Sequence, residues 1–258
     1  MRNDKKAVSQ EIAHLLSEES PFAIQEAYKL LRTNLIFTMP GEGCKKIVVT
    51  SSDRSEGKST TAINLAIAIA QNQSRVLLLD CDLRLPTVSK KLKIKNVPGL
   101  TEALVGIRGQ EMQIYALPSG VHVLTAGTIP PNPTELLGSE QMQMLLDRLS
   151  EKYEYIIIDT PPINEVADAV ILSKYASGVL VVVRQNMSTT RDVDAALQKL
   201  EFAEAKVLGF VLSGAEEDKR AYKKKYGKKY GYKYGYGYYG YGYGRKRSKK
   251  PESSDENH

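Results

Sequence analysis

Short β-branched runs alternate with helix-length segments along most of the chain. The runs are Lys46–Ser51, Arg75–Asp80, Val121–Leu124, Tyr155–Asp159, Gly178–Val183 and Val207–Leu212. Ile156-Ile157-Ile158 and Val181-Val182-Val183 are apolar at every position. That suits strands covered on both faces, as in a parallel sheet, rather than strands with one wet face. Between the runs lie the segments Ser59–Gln71, Thr134–Glu151, Ala167–Tyr175 and Thr189–Phe202, which read as helices. An amphipathic helix from about Phe22 to Phe37 precedes the first strand. Pro86–Pro133 is less regular and predicts short elements and loops. The β-α-β-α order predicts an α/β fold: a doubly wound, mainly parallel sheet with flanking helices and a site at the carboxyl ends of its strands.

The alternation stops near Glu216. Ten of the 15 tyrosines fall between Tyr222 and Tyr243, with six glycines among them. Only aromatic rings supply apolar surface there, and frequent glycine raises the cost of ordering the backbone. A disordered tail is expected over 216–258. The predicted organisation is a polar N-terminal segment (1–21), one domain (22–215) and this tail. The net charge of +6 belongs to the tail. Lys219 to Lys250 holds 13 Lys and Arg with no acid, whereas residues 1–218 hold 23 basic and 27 acidic residues. Two cysteines, Cys44 and Cys81, exclude a disulfide scaffold or a Cys-rich zinc module. The longest clean apolar stretch, Ala62 to Ala70, is too short for a bilayer and is broken by Asn64. Met1 to Lys6 does not lead into the apolar run of a signal peptide, so a cytoplasmic, reducing compartment is expected.

Asp53-Arg54-Ser55-Glu56-Gly57-Lys58-Ser59-Thr60 follows the first strand and opens the next helix, the context a phosphate-binding loop requires. Backbone N–H groups and the helix dipole there favour phosphate oxygens. Lys58 is placed to reach the β- and γ-phosphates of ATP, and Ser59 to hold Mg²⁺. Ser52 stands where the usual pattern has its first glycine. Two further strands end in acids: Val76-Leu77-Leu78-Leu79 leads into Asp80-Cys81-Asp82-Leu83-Arg84, and Tyr155-Ile156-Ile157-Ile158 into Asp159-Thr160-Pro161-Pro162. Residues i and i+2 of a strand face the same way, which predicts that Asp80 and Asp82 share a face. A lone strand-end Asp is more often a turn residue. Three beside a phosphate loop predict a Mg-nucleotide site of the P-loop NTPase type. Cys81 reads as a small buried residue.

Taken together these residues resemble the bacterial tyrosine kinases of capsule and exopolysaccharide systems, in their separate-chain, Gram-positive form. The family's Walker A loop, DxDxR strand and DxxP strand are matched by Gly57-Lys58-Ser59-Thr60, by Asp80 to Arg84 and by Asp159 to Pro162. Gly127-Thr128-Ile129-Pro130-Pro131-Asn132-Pro133-Thr134-Glu135-Leu136-Leu137 and the Tyr-rich C-terminus add to the likeness, which runs from about Glu26 to Tyr243. An ExxRxxR motif of the family, tied to ring-like self-association, reads Glu26, Lys29 and Arg32 here, with lysine in place of the first arginine. Glu26, Lys29 and Arg32 also suit a plain solvated helix face. Ser213-Gly214 stands where the family pattern suggests an asparagine.

The resemblance implies transfer of the ATP γ-phosphoryl group to tyrosine, with Lys58, Asp80, Asp82 and Asp159 as the catalytic set. Ser59, Asp82 and Asp159 are the candidates around Mg²⁺, directly or through water. Asp80 is implied as base or orienter of the phenol. Full proton transfer from a free Tyr to a free Asp is uphill by about 8 kcal/mol, so it comes late or Asp80 mainly aligns the hydroxyl. Arg84 either offsets phosphate charge or braces the carboxylates. The expected acceptors are Tyr222, Tyr226, Tyr230, Tyr232, Tyr234, Tyr236, Tyr238, Tyr239, Tyr241 and Tyr243, phosphorylated in trans between subunits. The implied partners are a membrane polysaccharide co-polymerase adaptor, a ring of like subunits and a cognate protein-tyrosine phosphatase, with no specific nucleic acid. The adaptor would bring the chain to the inner face of the membrane. The rival reading is a partition or septum-positioning ATPase whose basic tail binds nucleic acid or membrane. Those ATPases carry a signature lysine where this chain has Asp53.

Overall fold

The computed structural model describes residues 15–106 and 112–215. The element order is α1 (Phe22–Thr38), β1 (Lys45–Ser51), α2 (Lys58–Ala70), β2 (Val76–Asp80), α3 (Val88–Leu92), α4 (Leu100–Val105), β3 (Ile114–Ala116), β4 (Val121–Leu124), α5 (Pro133–Leu137), α6 (Glu140–Ser150), β5 (Tyr155–Asp159), α7 (Asp168–Ser173), β6 (Gly178–Arg184), α8 (Thr190–Phe202) and β7 (Val207–Ser213). The strands form one seven-stranded sheet in the order β3-β4-β2-β5-β1-β6-β7. Every pairing is parallel except β3 with β4. All six anticipated strands are present. The added strand, β3, lies in the irregular stretch and is only three residues long, too short to leave a period-two signature.

The apolar triplets do what their pattern implies. Ile156 and Ile158 face one core, Ile157 the other, and Val181 and Val182 divide in the same way. One core is closed by α1, α2 and α3, the second by α4 to α8. The single helix expected over Thr134–Glu151 is two. Gly138 ends α5, and the Ser139 hydroxyl caps α6 by accepting the Met142 N–H at 3.2 Å. The hydrophobic period runs on across this break, so periodicity alone misses it.

Residues before Phe22 join the domain. Leu16 is buried, and its N–H donates to Asn64 Oδ1 at 2.8 Å. The Asn64 amide donates in turn to the Tyr28 hydroxyl at 3.2 Å. The one polar residue inside the apolar stretch of α2 therefore ties down both α1 and the segment ahead of it. The N-terminal residues 1–14 and the tail from 216 lie outside the described residues. Among the described residues no helix is long and apolar enough to cross a membrane.

Removing the Asn64 amide strands the buried Leu16 N–H. Asn64→Ala is expected to lower unfolding stability by about 1–3 kcal/mol. Denaturant titration and faster proteolysis ahead of Phe22 are the readouts; wild-type stability would refute this role.

Candidate active site at the sheet's carboxyl edge

β2 and β5 end level at Asp80 and Asp159, and β1 runs two residues further, to Ser51. Asp159 pairs in register with Val49 of β1 and with Asp80 of β2. That alignment puts the two acids side by side at the edge where the loop Ser52–Gly57 leaves β1. Ser55, at φ 62°, and Gly57, at φ 96°, take left-handed conformations, and the turn delivers Lys58 as the first residue of α2. The loop is laced to the segment after β5. Thr50 Oγ1 donates to Pro161 O at 2.9 Å, the Ile163 N–H to Ser51 O at 2.9 Å and the Asn164 N–H to Ser52 O at 3.2 Å.

Lys58 Nζ donates to Asp82 Oδ2 at 3.0 Å, with both side chains largely buried. Asp82 is near Asp80 for a reason other than the one expected. β2 ends at Asp80, so Asp82 sits in the following turn, not on the strand. Its N–H donates to Asp80 Oδ1 at 3.2 Å, and its Oδ1 accepts the Leu85 N–H at 3.0 Å. This is turn chemistry of the Asx kind, rather than the pleat of a strand. Asp80 Oδ2 and both oxygens of Asp159 are buried without a well-formed hydrogen bond.

Burial, then the neighbouring Asp159 and Asp82, hold the Asp80 carboxyl well above the usual carboxylate range. Burial likewise lifts Asp159 to about 6, while Lys58 and the Ser59 hydroxyl beside it pull the other way. Burial alone would lower the Lys58 pKa, but Asp159, Asp82 and Asp80 together leave it raised. Cys81 is fully buried, and burial followed by the surrounding acids pushes its thiol well up, which fits a packing residue.

Partnerless buried carboxylate oxygens beside a hydroxyl suit a hard cation with oxygen ligands. Among the described residues no group of three or more His, Cys, Asp or Glu side chains forms a ready metal cage. The donor set therefore fits Mg²⁺ that shares its coordination with phosphate and water.

The other anticipated residues are spread over the loop, the neighbouring turns and α1. Arg54 is exposed and pairs with Glu165 of the loop after β5, Nε to Oε1 at 2.7 Å. Asp53 lies in an acidic rim, where burial, Asp192, Glu56 and Glu165 raise its pKa. Thr60 lies in the first turn of α2. The Glu56 side chain does not line an open cradle; it is folded inside the loop. Arg84 makes no hydrogen bond to Asp80 or Asp82. Its Nε donates to the fully buried Asp168 at 2.9 Å and its Nη2 to Thr134 Oγ1 at 2.8 Å. Thr134 Oγ1 itself donates to Asp168 Oδ1 at 2.7 Å, so the Gly127–Leu137 stretch is fastened to the DxDxR turn. On α1, Lys29 pairs with Glu26 at 2.8 Å on an exposed face, whereas Arg32 turns inward to donate to Ala68 O at 2.7 Å. The ten tail tyrosines lie outside the described residues.

A parallel sheet with a phosphate loop entering a helix, and acids on two neighbouring strand ends, defines a nucleotide-binding P-loop domain. A family model described as an AAA domain matches residues 44–207. Tyrosine-protein kinase YwqD of Bacillus subtilis (strain 168) is 39% identical over 197 residues, 76% of this chain and 83% of YwqD. The chain belongs to the bacterial tyrosine-protein kinases. The crystal structure of the chimerical protein CapA2B2 superposes with a TM-score of 0.71 at 37% identity, covering 76% of this chain and 86% of that one. The kinase domain of Escherichia coli ETK gives a TM-score of 0.72 at 31% identity over 85% of this chain and 80% of that one. Of the whole Etk of Escherichia coli (strain K12), 33% identical over 213 residues, the chain spans 29%.

The folded-state value of Asp159, about 6, lies above the ordinary 3.8. Ionising it therefore costs the fold stability as pH rises between these values, and the cost is complete above them. Asp159→Asn is expected to stabilise the nucleotide-free protein by roughly 1–3 kcal/mol at pH 7.5, with little change near pH 3.5. Denaturant unfolding at both pH values tests this; equal effects at the two would remove the electrostatic explanation.

Proposed function

We propose that this enzyme transfers the γ-phosphoryl group of ATP to tyrosines of its own C-terminal cluster, Tyr222 to Tyr243, in trans between subunits. The observation that carries the reading is the meeting of Lys58 with Asp80, Asp82 and Asp159 at one strand edge, with partnerless oxygens on two of the acids. Phosphoryl transfer needs mainly positioning and charge neutralisation. The loop N–H groups at the start of α2 hold phosphate oxygens, and Lys58 leaves Asp82 to bind them. Ser59, Asp82 and Asp159 would hold Mg²⁺, directly or through water. When bound, that ion neutralises charge on the β- and γ-phosphates. Asp80 orients the incoming phenol. Its raised pKa narrows the mismatch with a tyrosine hydroxyl and supports a late proton transfer to its free oxygen. Arg84 keeps the carboxylate turn in place through Asp168.

The cluster spans roughly 22 residues, a contour length of about 70 Å at ~3.3 Å each, which is compatible with transfer between neighbouring subunits. Each phosphate adds about −1.5 to −2 charges, so full modification reverses the sign of the basic tail. Self-association is supported by α1, where Phe22, Leu30 and Phe37 are exposed together with the Glu26–Lys29 pair. Arg32 then braces α1 on α2 and is not a free contact. In the cell the chain works with a membrane adaptor in capsule or exopolysaccharide production, opposed by a tyrosine phosphatase.

The test incubates the full chain with Mg-ATP, with and without the adaptor's cytoplasmic segment, beside Lys58→Met. Intact mass and peptide mapping should place phosphate on Tyr222–Tyr243 only where Lys58 is intact. Lys58→Met should lower the rate by about 10²-fold or more. Release of γ-phosphate to water with unmodified tyrosines, adaptor present, would instead indicate an assembly ATPase.

A further inference from the structure

Glu56 is an acid inside a loop built to receive anions, and it is 1% exposed. Its carboxylate accepts three groups. Ser52 Oγ lies 3.0 Å from both of its oxygens, the Asp53 N–H donates at 3.0 Å, and Ser188 Oγ donates through a short bond. Ser188 is the donor of the last bond because a carboxylate has no proton to give, and Ser188 Oγ also accepts the Arg184 N–H at 2.7 Å. Its own proton is then available to Glu56. Ser188 lies in the connection from β6 to α8, 132 residues further along the chain. Two more bonds run the same way. Arg184 Nη1 donates to Ser55 O at 2.9 Å, and Ser213 Oγ at the end of β7 donates to Glu56 O.

Ser52 explains why an acid is there. The position is fully buried and normally held by glycine; a serine brings a hydroxyl that must find an acceptor. Glu56 supplies it, and bonds to a carboxylate are stronger than bonds between neutral groups. The two departures compensate each other. Glycine's freedom at the loop entrance is replaced by a hydrogen-bonded turn whose far side is tied to a different strand.

We propose that Glu56 is the positioning residue of the phosphate loop. Its buried carboxylate ties Ser52 and Asp53 to Ser188 and so sets the loop's shape for a nucleotide polyphosphate. The inference rests on the nucleotide-binding reading above. It acts through hydrogen bonds, not charge, since a negative group near phosphate would by itself oppose binding.

The test uses the full chain and Mg²⁺ with a fluorescent ADP analogue, titrated well below the melting transition, with melting temperatures measured in parallel. Glu56→Ala is expected to weaken binding by about 10- to 100-fold, the loss of one buried hydrogen-bonded network. Glu56→Gln keeps an oxygen for Ser52 and the Asp53 N–H and offers an amide to Ser188, so it should stay within ~3-fold of wild type. Ser188→Ala should weaken binding by about 3- to 10-fold and add nothing to Glu56→Ala. Wild-type affinity in Glu56→Ala or Ser188→Ala, even with a lower melting temperature, would overturn the proposal. So would Glu56→Gln behaving like Glu56→Ala, which would assign the effect to charge. If Glu56→Ala does not fold, Glu56→Gln and Ser188→Ala decide the matter. Failure of the wild-type chain to bind the analogue would instead overturn the nucleotide-binding reading, and this inference with it.

Discussion

The parallel register of β1, β5 and β2 is the constraint on which the site depends. It sets Val49, Asp159 and Asp80 level, so the loop leaving β1 emerges beside two acids that are distant in sequence. Side chains buried on both faces of these strands leave little room for slippage, because a shift by one residue would turn every acid to the other face. The carboxylates are held where water cannot reach them, and their mutual repulsion is met only in part by Lys58. The fold thus bears an unfavourable local arrangement that a bound cation would relieve. Stored strain of this electrostatic kind is typical of reacting centres.

Much of this was legible in the chain itself. Strands covered on both faces announce themselves by uninterrupted Ile and Val, and the acids at their ends mark the edge that carries chemistry. The contact between Asp80 and Asp82 was legible as a result but not as a cause. Spacing of two suggests a strand, whereas the backbone has already turned at Asp80 and hydrogen bonds do the gathering. The break between α5 and α6 was missed because Leu136, Leu137, Met142 and Leu145 keep a helical period across it. Its signal was local: a glycine followed by a serine able to cap.

Other features had no signal in one dimension. Nothing in Ser188 points to Glu56, and nothing in Asp168 points to Arg84; both pairings arise from distant segments meeting at one edge of the sheet. The serine at position 52 was readable as a departure, but its compensation was not. Asn64 looked like a flaw in an apolar helix and is instead the point to which the N-terminal segment and α1 are fastened.

The setting of Cys81 has a pharmacological consequence. A cysteine flanked by Asp80 and Asp82 invites design of a covalent inhibitor, yet its sulfur is wholly enclosed and its ionisation is suppressed by burial and by the nearby carboxylates. Electrophiles need a thiolate and a path to it. Here they meet neither, so warheads aimed at sulfur will pass this pocket by. The same enclosure shields this sulfur from peroxide.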